Sequence, residues 1–171
     1  MKKNVYDFRE IQKYCQENGF EYFVSPQIFP KLDGDTSPKN LRISNQELAT
    51  IFDEVDAISR TDYLHVNDVP CNALCYSFAI DCRGDVYPCN AFSFKVGNIY
   101  QNTLEYIWYE SDRMKFIQSI RNKDLKLCVA CKYKEFCTRC PGMAFMETND
   151  VYACDEFARC MAELRMSKCN S

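Results

Sequence analysis

The apolar positions along the chain switch between a helical and an alternating period, and the switches mark its elements. Over residues 4–18, Val5, Phe8, Ile11 and Tyr14 recur at helical spacing and Gly19 stops the run, which predicts an amphipathic helix. Cys15 adds to the same face and reads as a packed free thiol. The run Phe20–Val24, ended by Ser25 and Pro26, predicts a strand. Residues 25–43, with Pro30, Gly34 and Pro38, predict an irregular loop. Ser44 and Glu47 stand at capping-box spacing, and the helix they open carries Leu48, Ile51, Phe52, Val55 and Ile58 on one stripe.

Further along, Tyr63–Val66 predicts a short strand. Ser77–Ile80 and Asp85–Tyr87 flank the turn Asp81–Gly84, a hairpin in which Gly84 supplies the positive φ. Val96–Ile99 reads as a turn onto a helix containing Leu104, Ile107 and Trp108. A helix over about 112–122 follows, with Met114, Phe116, Ile117 and Ile120. After a turn at Asn149 and Asp150, a last helix runs from about Asp155 to Met166. The expected fold is α+β. A helix–strand–helix stretch, an incomplete α/β unit whose single strand has no sheet neighbour, occupies residues 1–62, and a region with a β-hairpin, helices and cysteine-rich loops occupies 63–171.

Composition narrows the function. At 171 residues, with 47% hydrophobic residues, the chain can bury a core, and a net charge of −3 argues against nucleic acid or an anionic membrane as partner. No apolar run approaches a membrane span, and the first residues lack the apolar stretch of a signal peptide, so a cytoplasmic protein is expected. Twelve cysteines in a reducing compartment point to metal binding or redox chemistry instead of disulfides. Only Cys15 lies before residue 71, which marks a boundary near residue 63.

The densest cysteine run is C-x2-C-x5-C-x2-C at Cys128, Cys131, Cys137 and Cys140, followed by Pro141 and Gly142. A zinc ribbon would want roughly 15–20 residues between its cysteine pairs. Ferredoxin-type runs are similarly compressed, end in Cys-Pro and send their last cysteine to a different cluster. The spacing therefore favours iron–sulfur over zinc, with Cys128, Cys131 and Cys137 on one cluster and Cys140 on a second; a zinc-stabilised interaction domain is the alternative. Cys71 and Cys89 bracket the hairpin and are brought to one end of it; Cys75, one helical turn after Cys71, is a further thiol from that side. Cys82, in the turn, is expected to point away. Cys154 stands at a helix mouth, where backbone amides stabilise a thiolate. Cys160 reads as core and Cys169 as part of a disordered polar tail. The single histidine, His65, reads as a surface or packing residue, and Trp108 as core.

These residues resemble the SPASM domain of radical SAM enzymes, the auxiliary-cluster domain of peptide and protein maturases. Its pattern is C-x9-15-G-x4-C, a gap, C-x2-C-x5-C-x3-C, a gap and a final cysteine. Cys71, Gly84 and Cys89 match the first part, and Cys128, Cys131, Cys137 and Cys140 the second, with x2 in place of x3 before Cys140; Cys154 matches the last. The likeness extends over about residues 66–165, and residues 4–58 resemble the last helix–strand–helix stretch of a radical SAM partial TIM barrel. The resemblance implies two auxiliary [4Fe-4S] clusters: one on Cys71, Cys89 and Cys140 with Cys75 as fourth ligand, the other on Cys128, Cys131, Cys137 and Cys154. It implies an electron-transfer or substrate-docking role, with a peptide or protein substrate and an electron donor as partners. The SAM-cleaving motif C-x3-C-x2-C has no counterpart here: Cys71 and Cys75 begin it, but position 78 is Phe. S-adenosylmethionine would then bind only in a full-length enzyme. The chain resembles the C-terminal half of one, inactive alone, with an N-terminal radical SAM half supplied elsewhere.

Overall fold

The computed structural model describes residues 1–55 and 68–169. Helices dominate. The first, α1, covers Phe8–Glu17; a 3-10 turn at Ser37–Leu41 leads to α2, Asn45–Val55. A short helix α3, Ala73–Tyr76, precedes the strands β1 (Ala79–Ile80), β2 (Asp85–Tyr87) and β3 (Gly97–Asn98). Then come α4 (Leu104–Tyr109), α5 (Asp112–Ser119), α6 (Lys126–Val129), α7 (Pro141–Thr148) and α8 (Glu156–Cys169), with 3-10 turns at Asn122–Asp124 and Lys134–Phe136. Helices with one small antiparallel sheet make the α+β class expected from the sequence. No described helix is long and apolar enough to cross a membrane.

The hairpin forms as its alternation predicts. Ala79 stands opposite Tyr87 and Ile80 opposite Val86, while Val86 also faces Gly97 on the other side. The Asp81 carboxylate accepts from the amides of Arg83 at 2.9 Å and Asp85 at 3.0 Å, and Gly84 takes φ +76° to close the turn. Asn98 braces it from the third strand, donating from Nδ2 to the Arg83 carbonyl at 3.1 Å and to Asp85 at 2.6 Å. Beneath the sheet, Val86, Val96, Ile107 and Met114 form one core cluster, with Phe78 and Trp108 edge-to-face at 4.8 Å on its flank. Trp108 is half-buried and packs against this cluster from its edge. A second cluster joins Leu74, Phe92, Ile117, Ile120 and Val151, and Cys71 and Cys89 lie against it.

The N-terminal stretch departs from expectation. Helix α1 begins at Phe8 instead of residue 4, and its apolar stripe is largely exposed: Ile11 is 53% and Tyr14 60% accessible. Residues 20–24 form no strand, and Phe23 is 90% exposed. A strand exists only where a neighbour accepts and donates its ladder bonds, and no described segment lies in register beside this one. The partial-barrel reading therefore finds two helices here without a sheet between them. The capping box does form: Ser44 N donates to Glu47 Oε2 at 2.8 Å and Glu47 N to Ser44 Oγ at 3.2 Å, and bonding by Ser44 holds the Glu47 carboxyl below its ordinary pKa. The expected Tyr63–Val66 strand, His65 and the Ile58 end of the second helix lie outside the described residues.

Leu48 and Phe52 of α2 pack on Met161 of α8, with Cys160 beside them. Cys160 thus sits in packed surroundings, as expected, and burial raises its pKa. Cys169 is the last residue of α8, exposed but helical, and not in a disordered tail, because the helix runs beyond Met166. The 3-10 turn and its exit are tied to α7 by Glu147, whose side chain is only 4% exposed and pairs with Arg42 and, at 3.2 Å, with Lys39. Removing one partner of a buried pair leaves a charge without compensation. Glu147→Gln is expected to cost about 3 kcal/mol, read from the urea midpoint at unchanged m-value. A cost below ~1 kcal/mol would show that this pair behaves like an exposed one.

Candidate metal centre

The cysteines that matter fall into two groups, each assembled from separate elements. The first joins the hairpin to α7. Cys71 precedes α3, Cys89 follows β2, and Cys140 caps α7, with its Sγ accepting from the Met143 amide at 3.4 Å. Pro141 occupies the first turn of that helix, where its missing N–H costs nothing. Burial raises the pKa of Cys140, with the nearby Cys89 adding to the rise, and burial raises that of Cys89, with Cys71 adding. Cys71, Cys89 and Cys140 are thus electrostatic neighbours. Cys75 on α3 is half-buried, whereas Cys82 in the hairpin turn is exposed.

The second group lies between α6 and α8. Cys128 ends within α6, Cys131 follows in a turn whose amide reaches the Cys128 carbonyl at 3.1 Å, and Cys137 leaves the 3-10 turn at Lys134–Phe136. Cys154 immediately precedes α8. These four thiols line one concavity of about 200 Å³, together with Asp155, Arg139 and Arg159. Cys137 is pushed up to about 12, chiefly by burial, then by Asp155 and the other three thiols. Burial also raises Cys128 and Cys154, where cationic neighbours oppose it: Arg139 at Cys128, Arg159 and Arg139 at Cys154. Thiols in this state are protonated near neutrality and shed protons when they ligate a metal.

One buried carboxylate spans the two groups. Asp155, 1% exposed, caps α8 by accepting from the Ala158 amide at 3.0 Å and accepts from the Cys140 amide at 3.1 Å. It follows Cys154 in the chain and touches the Cys140 loop, so a single side chain fixes one end of each group. Burial raises its pKa, and the two amide bonds oppose that rise.

Sequence reasoning named eight candidate cysteines and missed four supports around them. Helix α7 was absent from the expected elements although Pro141 at its first position was a readable start signal. The strand β3 is two residues long, below what any alternation can reveal. Arg139 and Asp155 carried no motif at all. Among the described residues, no three Cys, His, Asp or Glu side chains converge on a point that would hold one metal ion. In the second group four thiols surround one cavity, a donor chemistry that fits an iron–sulfur cluster.

Comparison with known proteins agrees with that chemistry. No curated protein and no solved structure matches the chain. Residues 71–141 match the family model of SPASM, described as an iron-sulfur cluster-binding domain. The match starts on Cys71 and ends just past Cys140, so it takes in the hairpin pair and the whole dense run, while Cys154 lies beyond it. The stretch that folds into the hairpin and α4 to α6, with every candidate thiol except Cys154, is thus similar to an iron–sulfur cluster-binding domain, which supports iron–sulfur binding by these cysteines.

Proposed function

We propose that the chain carries two [4Fe-4S] clusters and serves as the electron-transfer and substrate-docking module of a radical SAM enzyme that modifies a peptide or protein. The observation that supports this reading is the division of the thiols into two neighbourhoods, one of Cys71, Cys89 and Cys140 and one of Cys128, Cys131, Cys137 and Cys154. A cubane takes four thiolates, so the second set is complete and the first needs one more, for which half-buried Cys75 is the candidate. Such clusters supply one-electron chemistry. The protein's part is to hold them apart from water, at a fixed spacing, with Asp155 linking the two loops. The radical SAM half and an electron donor would come from other sequence or another chain, in a reducing cytoplasm.

Protein purified without oxygen is expected to be brown and to contain roughly eight irons and eight sulfides per chain. Zinc with negligible iron and sulfide would overturn the reading in favour of a zinc-stabilised interaction domain, in which four sulfurs must each come within about 2.3 Å of one ion. The same preparation, reduced and given S-adenosylmethionine, is expected to release no 5′-deoxyadenosine, because the chain has no three-cysteine loop of C-x3-C-x2-C spacing. Release above background would show a SAM-cleaving centre in this chain.

A further inference from the structure

Arg139 lies in the cysteine run between two ligand candidates, yet none of the assignments above uses it. Its guanidinium donates from Nε to the Ala153 carbonyl at 3.1 Å and from Nη2 to the same carbonyl at 2.7 Å and to the Val151 carbonyl. Those bonds fasten the segment that leads into Cys154 to the loop that carries Cys137 and Cys140. The third nitrogen, Nη1, is buried and has no hydrogen-bond partner among the described residues. Buried donors are nearly always paired, and a cationic one is the costliest to leave without an acceptor. Arg139 also lines the concavity that the four thiols share.

We propose that Arg139 positions and tunes the centre formed by Cys128, Cys131, Cys137 and Cys154: Nε and Nη2 hold the segment before Cys154, and Nη1 donates a hydrogen bond to a sulfur of the cluster bound there. This rests on the cluster reading above. Four thiolates around a [4Fe-4S] core leave a net negative assembly, and one electron taken from a reductant adds a further negative charge with no bond made or broken. A fixed cation and an N–H donor at the sulfur favour that reduced form, so Arg139 raises the reduction potential. Lysine would keep the charge without the planar fork that reaches two carbonyls at once.

The test uses the whole chain, with guanidino-15N arginine, loaded anaerobically and reduced with dithionite, and pulsed EPR on the signal that is absent from Cys131→Ala. A weak 15N coupling is expected, kept in Arg159→Lys and lost in Arg139→Lys. In a parallel redox titration, Arg139→Gln is expected to lower the ratio of reduced to oxidised cluster at fixed potential by about tenfold, a 59 mV fall for a one-electron couple. Lys115→Gln removes the same charge from an exposed site and controls for net charge. Absence of the coupling in the parent protein, its persistence in Arg139→Lys, or a loaded Arg139→Gln with no larger shift than Lys115→Gln would each overturn the proposal. If Arg139→Gln does not load, the coupling in the parent protein decides. A parent protein without iron and sulfide overturns the cluster reading itself, and this proposal with it, before any variant is made.

Discussion

Replacing Gly142 by alanine is expected to cost about 3 kcal/mol and to strip iron from the Cys71, Cys89 and Cys140 group while sparing the other. A Cβ at this position would sit 2.2 Å from the Ala91 carbonyl oxygen, 2.9 Å from Phe92 Cβ and 3.0 Å from the Ala91 carbonyl carbon. All three belong to the backbone, or to its first carbon, just after Cys89. The first turn of α7 therefore lies directly on the chain that leaves the hairpin, and that approach is what brings Cys140 next to Cys89. An added methyl must push the two apart, and it pushes along the line joining two members of one thiol group. Gly84 gives the contrast. Its Cβ would meet the Tyr100 ring at 2.6 Å, but that ring is 79% exposed and free to swing away. Gly84→Ala is strained mainly by its φ of +76°, at a cost of about 1–2 kcal/mol, and should keep full iron. Denaturant midpoints and iron analysis on the two variants separate these outcomes. Normal stability and iron in Gly142→Ala would show that α7 does not lie so close.

Why the sequence discloses some of this and not the rest follows from the range of each interaction. The hairpin is local: alternation in Asp85–Tyr87, an Asp at the turn's start and Gly84 at its end are all within a few residues, so the pattern and the fold coincide. Ligand chemistry is likewise legible, because thiols have few other reasons to crowd between 128 and 140. The strand expected at 20–24 fails for the opposite reason. Its apolar and aromatic residues favour a pleated surface, but pairing is supplied by a neighbour, and local preference cannot create one. Helix α7 was hidden because Pro141 and Gly142, read together, look like a turn; the glycine is there for the close approach to Ala91 and not for chain reversal. Arg139 and Asp155 are illegible in principle. Each acts on a loop 12 to 15 residues away through carbonyls and amides, and backbone groups leave no signature in the sequence.

Removing single cysteines is expected to divide the twelve thiols sharply. A ligand lost from a cluster exposes an iron and forfeits metal–thiolate free energy on which the fold depends. Cys131→Ala and Cys154→Ala should each lose about one cluster, roughly four irons with their sulfides, and keep the other. Cys140→Ala and Cys89→Ala should lose the complementary one, so that pairing Cys131→Ala with Cys89→Ala removes nearly all iron. Cys15→Ala, Cys160→Ala and Cys169→Ala should keep full content: Cys15 and Cys160 lose only a small apolar volume, and Cys169 is exposed at the end of α8. The comparison that decides the first group is Cys75→Ala against Cys82→Ala. Cys75 is half-buried on the helix that follows Cys71, and Cys82 is exposed at the far end of a hairpin whose other end carries Cys89. A thiol at the turn would need the whole hairpin inverted to reach Cys89. Iron loss in Cys75→Ala with full content in Cys82→Ala is therefore expected. The reverse result would mean that the hairpin turns its tip toward the cluster and that the first ligand set is wrongly drawn.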